Sequence, residues 1–97
     1  MKNYFMIDSN RAQQLIAKGA VLFDVRDPVS FRDGTLPSAV NLTLRQVATV
    51  VKYDKKTTLI FFGLSNDDPN LKAILNYVAQ MGFTKLYSLG NINNWKI

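Results

Sequence analysis

Two rhythms of apolar residues alternate along this chain. Short continuous runs occur at Ala20–Val25 (AVLFDV) and Leu59–Phe62 (LIFF), and a weaker one at Lys85–Leu89 (KLYSL). Runs of that length, rich in branched and aromatic residues, predict buried strands. Between them the spacing changes to three and four residues. Ala12, Leu15 and Ile16 mark one face of a helix that opens at Ser9 as N-cap and ends at Gly19. Leu44, Val47, Ala48 and Val51 predict a second helix behind Thr43, and Leu71, Ile74, Leu75 and Val78 a third that stops at Gly82.

Punctuation agrees with the rhythm. Asp27-Pro28 and Asp68-Pro69 both pair an N-cap with a proline at the first helical position, and the short helix after Asp27 stops by Gly34. Tyr4 to Ile7 predicts a short edge strand, and Val40-Asn41-Leu42 a brief one after the loop Thr35–Ala39. A turn is expected at Gly90-Asn91, with a last helical turn around Trp95. Strands alternating with helices predict an α/β domain over 1–97, with a mostly parallel central sheet of about five strands and helices on both faces. Leu59–Phe62 is the most hydrophobic strand and so the expected centre, since a strand covered on both faces reads as a continuous apolar run.

Composition narrows the chemistry. The 97 residues include no Cys and no His. Disulfides, thiolate metal sites and thiol nucleophiles are therefore excluded, together with the commonest general base and metal ligand. No apolar run is long enough to span a bilayer, and the opening MKNYFMIDSN is unlike a secretory signal, so a cytoplasmic protein away from membranes is expected. The net charge of +5 comes from scattered Lys and Arg. The nearest cluster, Lys52, Lys55 and Lys56 around Tyr53, reads as a solvated helix end and turn. A nucleic-acid partner is not expected, for want of a clustered basic face.

At Leu22–Leu42 the residues become specific. Asp24, Arg26, Asp27, Phe31, Gly34, Leu36, Pro37, Ala39 and Asn41 in LFDVRDPVSFRDGTLPSAVNL resemble the N-terminal signature of rhodanese-like domains. Gly82-Phe83, Leu86-Tyr87, Leu89, Gly90 and Trp95 are similar to that family's closing strand and turn. Thr35 stands where the family often has His, Ser38 where it often has Gly, and Asn91 where it usually has a second Gly. The resemblance brackets nearly the whole chain. It implies a rhodanese-like fold and, for active members, sulfur transfer. In those members a Cys in the loop after the central strand takes sulfane sulfur as a persulfide, held by backbone N–H groups, the helix amino end and often a cation.

The residues read on their own terms sit beside that expectation. Arg26, just past a buried strand and flanked by Asp24 and Asp27, reads first as a structural ion pair and second as an anion-binding group. Asp27 reads as an N-cap, and Phe31 and Trp95 as core anchors rather than substrate platforms.

The loop Gly63-Leu64-Ser65-Asn66-Asp67-Asp68-Pro69-Asn70 holds no Cys, Arg or Lys. Counted forward from the strand, the nucleophile's place falls at Gly63; counted back from Gly82, it falls at Ser65. Ser65 is the nearest stand-in, but a hydroxyl forms no persulfide and no His is present to activate it, so it reads as a turn residue and no catalytic residue is assigned. Asp68 reads as the helix cap. Asp67 adds negative charge where thiosulfate or phosphate would dock, and the pair is too sparse to predict a metal site. No cofactor is expected.

The expected function is a catalytically silent rhodanese-like module that binds an unidentified protein or small anion, as a monomer or weak dimer. The candidate binding residues are Gly63, Leu64, Ser65, Asn66, Asp67, Asp68 and Arg26. The alternative is a sulfurtransferase-type enzyme, its Cys replaced by an engineered substitution at Ser65 or its thiol supplied by a partner. The missing cation and the Asp67-Asp68 pair count against a single replacement.

Overall fold

The computed structural model describes residues 3–96. All pairings in its five-stranded sheet are parallel, in the order β1-β5-β4-β2-β3. The strands are β1 (Phe5–Met6), β2 (Val21–Asp24), β3 (Val40–Asn41), β4 (Leu59–Gly63) and β5 (Leu86–Asn91); the helices are α1 (Ser9–Ala17), α2 (Pro28–Asp33) and α3 (Pro69–Gln80). As its unbroken apolar run requires, β4 is the middle strand and is buried along its whole length.

Strand alternation divides the interior into two layers. Phe23, Leu59, Phe61 and Leu86 point to one face, where Leu71, Ile74, Leu75 and Val78 of α3 and Val47 and Val50 cover them. Phe23 stacks on Phe61 with ring centroids 5.0 Å apart. Leu22, Ile60, Phe62 and Leu89 point to the other face, against Ala12, Leu15 and Ile16 of α1. Trp95 packs on that second layer. Phe31 is half-buried and belongs to neither cluster, so of the two expected anchors only Trp95 reaches the core.

Three local expectations give way to tertiary geometry. The cap of α1 is Asp8, whose carboxylate accepts the Arg11 N–H at 2.8 Å. Ser9 is buried instead, its hydroxyl exchanging hydrogen bonds with the Lys96 backbone. The segment Leu44–Lys52 is a 3₁₀ helix rather than an α-helix. Its residues repeat every three positions, so Val47 and Val50 are buried while Ala48 and Val51 face outward; Leu44, in line with the two valines but at the start of the helix, is exposed. Finally, β5 runs on through the expected turn to Asn91: a register shift between Phe61 and Phe62 leaves Leu89 without a partner on β4, and Gly90, at φ 77°, pairs with Phe62. A 3₁₀ turn, Ile92–Asn94, follows it. Among the described residues, no helix is long and apolar enough to cross a membrane.

Candidate functional site

Parallel strands bring all their carboxyl ends to one end of the sheet, where ligands of open α/β folds gather. The loop from β4 to α3 lies there. Pro69 fixes the first helical φ and Asp68 caps α3. The Asp68 side chain does more than cap. One carboxylate oxygen accepts the Asn70 N–H at 2.9 Å; the other reaches back to accept the Leu64 N–H at 3.1 Å. The residue is only 6% exposed. A single anionic group thus joins the end of the central strand to the start of the helix, in the field of the α3 amino end.

Gly63 makes this possible. A Cβ there would lie 2.6 Å from the nearer Asp68 oxygen and 3.2 Å from Val25 Cγ2. No real Cβ tolerates the first distance, so glycine and the inward carboxylate go together.

Asn66 ties down the middle of the loop. Its carboxamide oxygen accepts the Asn91 N–H at 3.0 Å and the Asn94 side-chain amide at 2.9 Å, and that amide also donates to the Leu89 carbonyl at 2.8 Å. A Cβ at Gly90 would collide with the same Asn66 oxygen. Leu64, Ser65 and Asp67 face solvent. Asp67 meets Lys72 at 3.4 Å, an exposed pair worth little.

Arg26 is held elsewhere. Its guanidinium forks onto Asp24, with Nε at 3.0 and 3.1 Å from the two oxygens and Nη2 at 2.7 Å, and Nη2 also donates to the Gly34 carbonyl. Asp24 is fully buried and accepts further from the Thr35 hydroxyl at 2.8 Å and the Arg26 N–H at 2.9 Å. Asn41 bridges the Asp24 and Arg26 carbonyls, at 2.9 Å each. The hydrogen bond to Asp24 raises the Arg26 pKa above its ordinary value against the opposing effect of burial. Asp27 caps α2 through Ser30; the Ser30 backbone N–H, then its hydroxyl, holds the carboxyl below its ordinary pKa. No hydrogen bond of Arg26 goes to the loop between Gly63 and Asn70.

Of the candidate residues, then, Gly63, Leu64 and Asp68 converge on one point, and the group at that point is the Asp68 carboxylate. Asn66 turns toward β5, Ser65 and Asp67 turn to water, and Arg26 serves its own ion pair. Sequence reasoning missed the partnership of Asn66 with Asn91 and Asn94. The one signal for it was Asn91, in the place of a usual Gly. The arrangement presents no thiol, and Ser65 has no imidazole to activate it.

A five-stranded parallel sheet, with a strand-to-helix loop at its carboxyl end tied by the Asp68 carboxylate, defines a small α/β domain. Residues 8–97 match the Rhodanese-like domain family. A thiosulfate sulfurtransferase GlpE of Pseudomonas syringae pv. syringae is 30% identical over 99% of this chain and 91% of its own length. The chain belongs to the rhodanese-like family. Among solved structures, the Alr3790 protein from Anabaena sp. superposes with a TM-score of 0.79 at 20% identity, over 92% of this chain and 83% of that one. The BH2092 protein from Bacillus halodurans gives 0.78 at 21% identity, over 94% and 70%. Both show the shared fold.

Proposed function

We propose that this domain is a catalytically silent member of its family that works by binding, and that Asp68 occupies the place its relatives keep for an anionic sulfur. The observation that carries this reading is the Asp68 carboxylate accepting the Leu64 and Asn70 N–H groups beside Gly63. An active site of this family needs those donors free for a persulfide or an incoming anion. Here they are already bonded to a fixed negative charge.

Magnitude supports the same conclusion. Two unit negative charges about 4 Å apart repel by roughly 4 kcal/mol near a protein surface. A thiosulfate entering beside Asp68 would lose on the order of a thousandfold in affinity. A thiolate supplied by a partner protein would meet the same carboxylate, which weighs against that route as well. The binding role is then carried by protein surface rather than by the loop's interior.

The test is sulfur transfer from thiosulfate to cyanide by the purified chain, with no turnover above buffer expected. Two variants make the result interpretable. Ser65→Cys alone should form little persulfide by intact mass, and Ser65→Cys combined with Asp68→Asn should form more. Turnover by the unaltered chain overturns the reading. Equal persulfide in both variants would show that Asp68 is not the barrier.

A further inference from the structure

The opposite end of the sheet has a different character. Where the chain enters β2, β4 and β5, three adjacent strands, an open groove of about 590 Å³ is lined by Lys18, Lys56, Lys85, Asp54 and the threonines Thr57 and Thr58. The lysines come from three separate parts of the chain: the end of α1, the turn before β4 and the residue before β5. That is why the sequence shows no basic cluster among them. The parallel fold alone gathers them.

Among the described residues, none of these ammonium groups forms a salt bridge. Among the described residues the ion pairs are Arg26 with Asp24 and Lys72 with Asp67, both at the other end of the sheet. Asp54 is the one acid among the described residues of the groove, and one of its oxygens accepts the Lys56 N–H at 2.8 Å within its own turn. Three lysines against one aspartate leave the groove with an excess of positive charge, which an incoming anion complements.

We infer that this groove is the docking face for an acidic segment of a partner protein; it supplies the surface for the binding role proposed above and rests on that role. Spaced carboxylates fit its features better than a nucleic-acid strand does. Among the described residues no aromatic ring lines it, so bases would find no stacking platform. Asp54 opposes a dense run of phosphates more than it opposes carboxylates that can be placed around it. The half-buried Leu15 and Ala20 on one wall offer an apolar contact to an aliphatic side chain of such a segment.

Fluorescence anisotropy with a labelled peptide of alternating Glu-Glu and Leu tests this, with a labelled oligothymidylate of equal length beside it. The groove variant is Lys18→Gln/Lys56→Gln/Lys85→Gln. The control, Arg11→Gln/Arg45→Gln/Lys72→Gln, removes the same charge away from the groove. Peptide affinity should fall about tenfold in the groove variant and less than about twofold in the control, and should weaken as ionic strength rises toward roughly 0.15 M. Equal losses in the two variants would reduce the effect to net charge and overturn the proposal. So would tighter binding of the oligothymidylate, or no peptide binding at low salt. Sulfur-transfer activity does not enter this assay, so its outcome is independent of whether the loop is silent.

Discussion

Replacing Asp68 by alanine removes one acceptor from two backbone donors at once. Loss of an Asp cap costs about 0.5–2 kcal/mol, and a hydrogen bond to a charged acceptor contributes about 1.5–3 kcal/mol. The two overlap, because both bonds end on one carboxylate, so the net loss expected is about 2–3 kcal/mol. In a domain of this size about 1 kcal/mol shifts the thermal midpoint by roughly 4–8 °C, which predicts a fall of roughly 10–20 °C. Asp68→Asn keeps a cap and one carbonyl acceptor but sets an amide against the second donor; about 1 kcal/mol should be lost. Thermal unfolding followed by circular dichroism reads both.

A second measurement isolates the cradle. Asp68→Ala leaves the Leu64 and Asn70 N–H groups facing a vacated site, so sulfate or thiosulfate should raise the midpoint of the variant by more than that of the wild type. At an anion concentration of about 100 times Kd the gain is about 2.7 kcal/mol. Gly63→Ala supplies an internal check. Its Cβ would meet Asp68 at 2.6 Å, an overpacking cost of about 1–3 kcal/mol that should shrink once Asp68 is gone. A variant midpoint within about 2 °C of wild type, or equal responses of both proteins to sulfate, would refute the account of Asp68 as the group filling its own cradle.

Two further outcomes follow from the strand end at Asp24. Arg26→Met should cost about 3 kcal/mol in urea unfolding, because it strands a fully buried carboxylate with only Thr35 and a backbone N–H for company; a loss below about 1 kcal/mol would contradict that. Asp27 carries a pH signature. Its folded-state pKa is depressed by Ser30, so its contribution is fully present above the ordinary carboxylate range and is lost as pH falls through the lower folded value. Asp27→Asn should therefore flatten the acid side of the stability curve and leave the neutral region with little pH-dependent change; an unchanged acid limb would count against the Asp27–Ser30 cap.

Much of this protein is legible without coordinates. The unbroken run Leu59–Phe62 could only be satisfied by a strand covered on both faces, and it lies at the centre of the sheet. The Asp-Pro pairs marked the starts of α2 and α3, since the fixed φ of proline and a carboxylate acceptor suit a helix amino end. The motif residues around Arg26 and Gly82 identified the family, and the absence of Cys showed that its usual nucleophile is missing. These are properties of composition, period and local backbone chemistry, and each is written in a few neighbouring residues.

What the tertiary structure decided is where polar groups point across gaps in the chain. Asp68 looks like any helix cap in sequence. Only the path of the loop shows that it reaches back to Leu64 across the empty space at Gly63. Asn66 finds Asn91 and Asn94, and Lys18, Lys56 and Lys85 meet in one groove, because parallel strands align distant segments end to end. Hydrophobic period sets which face of an element is buried. It carries no information about which donor a side-chain oxygen will find once the elements have packed, and the Asp68 cradle depends on that meeting.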